Sequence, residues 1–238
     1  MRVHGFVFSS PLFFWITLVN ITICPLLFAG APMGSVEGTF EGSIEGTFEN
    51  PIVDSKMSQE EAFDGLDEKC PAQIRNRQKR ITVKYLSSDK KIHQGQLVID
   101  GDLENDIKIV FDIALKEGFP IHSLIPISDK RFRKEGRWDD DLSMEANNTS
   151  GFNYRQITGG SRLSKHAYGR AIDINPFQNP YIKGSLILPK GAAYNPKTDE
   201  GALTADHPVV RTFLRLGWEW GGNWTRLKDY QHFEKPLQ

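Results

Sequence analysis

The stretch SKHAYGRAIDIN, Ser164 to Asn175, carries the reading on which the fold turns. Ile172 and Ile174 alternate with Ala171, Asp173 and Asn175, the period of a strand that presents isoleucines to a core and an aspartate to the opposite face. His166 precedes Asp173 by seven positions, across Gly169. A glycine there is free to adopt positive φ and fold the segment back, bringing imidazole and carboxylate toward one point that the small Ala171 leaves uncrowded. An aspartate on an interior strand faces water, a partner or a metal. One further histidine would complete a catalytic zinc site, which takes three protein ligands and keeps a fourth position for water.

The chain has six histidines, and their settings rank them. His4 lies in the apolar N-terminus, and His93 in a polar loop between two strand-like runs. His122 sits in a proline-flanked strand and reads as structural, and His207 stands at a helix start, where a capping or surface role is expected. His232 differs, because in DYQHFE it follows Asp229 by three residues, after glycines and tryptophans in GWEWGGNW that look like a pocket rim. A carboxylate beside a metal site can take a proton from an attacking water and return it to a leaving amine. Taken singly, His-x6-Asp and Asp-x-x-His are common by chance. With Arg155 upstream they form one coherent constellation.

The remainder of the chain supplies the setting. Its 238 residues include 29 basic and 30 acidic ones, so the formal charge of -1 gives no reason to expect a nucleic acid or membrane-surface partner. Arg2 precedes an apolar stretch with Phe13, Phe14, Trp15, Ile16 and Leu18, which ends at Ala29-Gly30-Ala31. We read residues 1–31 as a secretory signal, with a membrane tether through residues 5–28 as the alternative. The protein is therefore expected to be exported, either periplasmic or extracellular and cell-wall associated, or membrane-anchored if the segment is retained. Cleavage after Ala31 would leave Cys70 as the lone cysteine, buried, free or paired between chains.

Residues 32–78 are expected to form an acidic linker, including the tandem repeat SVEGTFEG/SIEGTFEN, with at most a helical turn or two in QEEAFDGLDE. The folded domain is expected over residues 79–238. There ITVKYL and GQLVID read as a hairpin around the loop SSDKKIHQ. The next segment places Leu103, Ile107, Val110, Phe111 and Ala114 on one helical face that stops at Gly118. FPIHSLIPI follows as a short or edge strand, and residues 131–150 as either a binding loop or a plain surface loop. In DHPVVRTFLRLGW, Asp206 is the expected helix cap, Pro208 needs no amide partner, Val210, Phe213 and Leu214 face inward, and Gly217 ends the helix. The fold class is therefore α+β, a small antiparallel sheet with flanking helices.

At this point the residues resemble a known family, the zinc D-alanyl-D-alanine carboxypeptidases, which include L-alanyl-D-glutamate endopeptidases of phage and bacilli. The family pattern S-x-H-x-x-G-x-A-x-D is matched by Ser164, His166, Gly169, Ala171 and Asp173, and its acid-x-x-His by Asp229 and His232. The arginine that follows an aromatic residue is matched by Arg155 in FNYR. The resemblance is specific from about Asp139 onward, fades through Ile81, and leaves the N-terminal segment and repeats uncovered. It implies a hedgehog/D-Ala-D-Ala peptidase-like fold, a Zn2+ held by His166, Asp173 and His232, and hydrolysis of peptidoglycan peptides, with no stable protein partner.

Asp229 would be the general base and acid, with Glu219 and Glu234 as rival carboxylates on the rim. Arg155 would stabilise the oxyanion or hold a substrate carboxylate, and Ser164 would support ligand geometry. Tyr154 and Trp220 are the further candidates for supporting or substrate contacts. The chain departs from the pattern at Tyr154, where relatives are expected to carry a cysteine able to pair with one like Cys70. Two other functions fit the same residues: a non-catalytic wall-binding module that keeps the zinc, and a non-haem iron oxygenase with a two-histidine, one-carboxylate triad.

Overall fold

The computed structural model describes residues 44–157 and 160–236, so the proposed signal, tether and first repeat copy lie outside the described residues. In chain order the strands are β1 (Ile52–Val53), β2 (Gln78–Leu86), β3 (Ile92–Asp100), β4 (Ser123–Leu124), β5 (Arg133–Lys134), β6 (Arg137–Trp138), β7 (Asn148–Thr149), β8 (Ala171–Asp173), β9 (Tyr181–Lys183), β10 (Leu186–Leu188), β11 (Glu219–Trp220), β12 (Lys228–Asp229) and β13 (His232–Glu234). The α-helices are α1 (Ala72–Arg75), α2 (Glu104–Lys116), α3 (Asp140–Glu145) and α4 (Pro208–Arg215). The α+β expectation holds, but the single antiparallel sheet does not. Among the described residues, three three-stranded sheets are present, ordered β1-β3-β2, β10-β9-β12 and β11-β13-β8, with β4-β7 and β5-β6 as separate pairs. Most pairing is antiparallel, while β1 with β3 and β4 with β7 run parallel.

The hairpin of β2 and β3 pairs from Gln78 with Asp100 to Leu86 with Ile92. Its loop is shorter than the polar run of sequence implied, because Ile92, His93 and Gln94 join the ladder. His93 is therefore a strand residue held between two carboxylates, 2.9 Å from Asp54 and 3.2 Å from Asp89. α2 lies on β2 and buries Ile107, Val110, Phe111 and Ala114, and Gly118 follows its end with a φ of 66°. α4 packs on α2 and buries Val209, Val210, Thr212 and Phe213. Its cap is the His207 side chain, whose Nδ1 accepts from Val209 N at 3.2 Å, whereas Asp206 receives the Thr204 hydroxyl instead. Leu214 points outward, because the buried stripe of so short a helix follows Val209, Val210 and Phe213. His122, expected to be structural, is exposed and is engaged through its backbone, its amide donating to Asn175 Oδ1 and its carbonyl accepting from the Ser87 hydroxyl.

These helices, the hairpin and one face of the β11-β13-β8 sheet close a single core that includes Ile81, Leu97, Ile172, Ile174, Phe213, Trp220 and Phe233. Burying a side chain the size of leucine or phenylalanine contributes about 1.5–3 kcal/mol, so this cluster anchors β8 and β13 firmly from behind. Their other face is left for chemistry.

Residues 44–78 correct the linker expectation. β1 adds to the edge of β3 with Ile52 opposite His93 and Val53 opposite Gln94, and Asp54 accepts the Tyr85 hydroxyl. Ala62 and Phe63 are buried with Val98 and Phe152, and Asp64 pairs with Arg133 at 2.8 Å. Even the second repeat copy touches the hairpin, since Gly46 O accepts from Ile92 N and Lys84 lies over the Phe48 ring. The high acid count masked a few apolar residues that have a groove to fill and carboxylates that have partners to meet. Phe63→Ala should therefore lower the stability of the whole protein by about 3 kcal/mol in denaturant unfolding. An unchanged unfolding midpoint would restore the linker reading.

Candidate metal centre

The centre begins with strand register. β13 runs antiparallel to β8 with His232 directly opposite Asp173, and directly paired residues keep their Cβ atoms about 5 Å apart. His166 comes from the 3-10 turn Lys165–Tyr168 that leads into β8. Ser164 caps this turn by accepting from His166 N at 3.3 Å, and Gly169 ends it with a φ of 65°. A Cβ at Gly169 would stand 1.9 Å from Gln78 Oε1 and 2.6 Å from Asp100 N, so both conformation and space demand glycine.

Three donors converge as a result. His166 Nε2 lies 3.1 Å from Asp173 Oδ2, and His232 Nδ1 lies 2.9 Å from Asp173 Oδ1. The two imidazole nitrogens are 3.2 Å apart. Each ring is held by its other nitrogen: His166 Nδ1 meets Gly151 O at 2.7 Å, and His232 Nε2 meets Glu234 Oε2 at 3.0 Å. Donation of N–H to those oxygens leaves both inward nitrogens with lone pairs facing a carboxylate and each other. Two lone pairs and a carboxylate aimed at one buried point suit a divalent cation, and the residues present therefore fit a metal such as zinc.

The electrostatics agree with the geometry. Burial works to raise the Asp173 carboxyl, but His166 and His232 hold it far below the ordinary carboxylate range. Burial works to lower His232, yet its bonds to Asp173 and Glu234 push it up to about 10. A bound cation at Nδ1 thus competes with a proton, and metal affinity rises with pH.

Asp229 approaches from another sheet. β12 pairs with β9 so that Asp229 sits opposite Tyr181, and the chain reaches this position by passing close over Gly221. A Cβ on Gly221 would stand 2.5 Å from Asp229 O, which explains one glycine of GWEWGGNW. The Asp229 Oδ1 is buried without a hydrogen-bond partner, and burial lifts the carboxyl to about 7, with Asp173 adding to the rise and His232 opposing it. A carboxyl with that proton affinity and an unengaged oxygen is able to accept and return protons near neutral pH.

Arg155 completes the cleft. Its Nη2 pairs with Asp140 at 2.7 Å, its Nη1 donates to Gln156 O at 3.2 Å, and its buried Nε has no partner. Asp140 also accepts from Asn153 Nδ2 at 2.9 Å, so the first turn of α3 orients the guanidinium. Residues 131–150 are therefore partly ordered structure that reaches the site. Asp140, Arg155, Ser164, His166, Asp173, Asp229 and His232 all line one cavity of about 530 Å³.

Two expected contacts fail. Tyr154 turns away from the cavity and donates to Lys69 O at 3.2 Å, packed in the cluster that includes Cys70. Cys70 is free, and the Tyr154 ring stands beside it. Trp220 is buried in the core with its indole N–H on Tyr230 O, and Trp224, its ring 5.4 Å from His232, faces the cavity instead. Glu219 is exposed on β11, while Glu234 lines the cavity and is the hydrogen-bond partner of His232. Asp140 and the β9–β10 hairpin carry no local signal that marks them as part of the site, and Trp224 stands out only as one of the tryptophans read as a pocket rim. Alternation within TyrIleLys and LeuIleLeu was obscured by the proline and glycine around them.

Fold and site thus define an α+β protein with a buried His-Asp-His group able to hold a metal ion and an unengaged carboxylate oxygen in the same cavity. Residues 158–235 match the family model described as D-alanyl-D-alanine carboxypeptidase, a span that contains all three metal candidates and Asp229. Over 123 residues the chain is 31% identical to the peptidoglycan L-alanyl-D-glutamate endopeptidase CwlK of Bacillus subtilis (strain 168), covering 52% of this chain and 60% of that protein. The resemblance read from the motifs is borne out by these two findings. No solved structure matches the chain.

Glu234→Ala should weaken metal binding by about 10- to 100-fold, measured by competition with a chromogenic chelator, because His232 loses the acceptor that fixes its ring. Glu234→Gln, which keeps an acceptor oxygen, should fall between that variant and the parent. Equal affinities in all three proteins would remove Glu234 from the centre.

Proposed function

We propose that the chain is a zinc-dependent peptidase that hydrolyses peptidoglycan stem peptides. The observation that carries this reading is the open, three-donor group of His166, Asp173 and His232 with the unengaged Asp229 carboxylate lining the same cavity. Structural zinc sites are normally closed by a fourth protein ligand, and the group here has three. A zinc held by these residues supplies Lewis acidity toward a water and the scissile carbonyl. Asp229 takes the proton of the attacking water at Oδ1 and delivers it to the departing amine. Arg155, steadied by Asp140, donates hydrogen bonds to the oxygen on which negative charge develops. Ser164 keeps the turn that carries His166 in place.

Support for the substrate comes from the D-alanyl-D-alanine carboxypeptidase match and from the peptidoglycan endopeptidase relative. The chain spans 60% of that relative's length, and the bond cleaved is of the D-Ala-D-Ala or L-Ala-D-Glu type. The same reading places the protein outside the cytoplasm, in the periplasm or at the cell wall, with residues 1–31 as its export signal or, if uncleaved, its tether.

Incubation with purified muropeptides, with and without chelator, should release D-alanine or a shortened peptide only when metal is present, and fragment masses assign the bond. Absence of any metal-dependent product would leave a binding module. Asp229→Asn should retain stoichiometric metal by elemental analysis while turnover falls by about 10²-fold or more.

A further inference from the structure

Three of the four acids that line the cavity are committed: Asp173 faces both histidines, Glu234 holds His232 and Asp140 holds Arg155, while Asp229 is half-buried with its Oδ1 unengaged. Two of the cations have no such partner among the described residues. Arg162 and Lys183 line the same cavity, are exposed, and form no ion pair among the described residues. Lys165 is a third cation on the wall, and its charge already helps to hold Glu234 ionised. Arg162 comes from the segment before the His166 turn, whereas Lys183 stands two residues along β9 from Tyr181 and so shares its face.

Beside these charges the walls turn apolar. Ile157 and Leu186 line the cavity and remain 44% and 49% exposed, Leu188 continues the β10 side, and Trp224 closes toward His232. Large aliphatic residues left open at a cavity mouth are suited to cover an aliphatic arm, and an unpaired cation beside them is suited to the anion at its tip.

We propose that the outer cleft is a carboxylate-selecting subsite, in which Arg162 and Lys183 hold a free carboxylate of the peptide flanking the scissile bond while Ile157 and Leu186 cover the short aliphatic arm that bears it. The subsite rests on the peptidase reading and adds its selectivity: free-acid stem peptides are substrates, and their carboxamide counterparts are poor ones. An amide is isosteric with a carboxylate but carries no charge for the two cations, so discrimination is electrostatic and weakens as salt rises.

The test compares matched muropeptides whose glutamate and diamino-acid carboxyls are either free or amidated. The free acid should be cleaved with a kcat/KM about 10-fold higher, the difference lying in KM and shrinking in 0.5 M salt, roughly the fold expected of two exposed charge contacts. Arg162→Glu with Lys183→Glu should abolish or invert the preference with metal content unaltered, whereas Lys116→Glu, on α2 away from the cavity, should preserve it. Equal kcat/KM for both substrates, or a preference that survives the double reversal, overturns the subsite and leaves the peptidase reading standing. Cleavage of neither substrate in the presence of metal overturns the peptidase reading itself.

Discussion

The pairing of Asp173 with His232 across two antiparallel strands is the constraint on which the rest depends. One hydrogen-bonded register places a carboxylate and an imidazole side by side, 59 residues apart in the chain, on the face of a sheet whose other face is core. A slip of one residue would send both side chains into the hydrocarbon and bring Ile172 and Phe233 out. Those two residues are fully buried against α4 and its neighbours, so core packing and site geometry enforce the same register.

The same arrangement explains why so many polar groups tolerate burial there. His166, Asp173 and His232 are each less than a tenth exposed, and an isolated buried charge costs several kcal/mol. Gly151 O and Glu234 hold the rings from behind, Ser150 pairs with the Asp173 backbone, and the three donors neutralise one another only through a shared cation or proton. Asp229 stands apart from this compensation. Its Oδ1 is unengaged and burial raises its proton affinity, with no partner among the described residues of the same strand pair to offset the cost.

Much of this was legible from local pattern. The alternation of AIDIN, the helical face from Leu103 to Ala114, the turn at Gly169 and the ends at Gly118 and Gly217 all follow from periodicity and backbone sterics, and the structure reproduces them. The failures share a cause. Residues 44–78 read as solvated because their charge was averaged over the stretch, whereas the fold uses Phe63 and Asp54 individually. Trp220 and Trp224 are chemically alike, and only the turn at Gly221 and Gly222 decides which enters the core.

By itself the sequence determined the residue types of the site and the local turn that aims His166, since spacing, a glycine and an alternating strand are properties of neighbouring residues. Tertiary structure alone decided that His232 faces Asp173, that Asp229 arrives from a second sheet, and that Asp140 and Glu234 hold the groups beside them. Those contacts join segments tens of residues apart, and the burial that shifts the proton affinities of Asp229 and His232 exists only when the segments have packed.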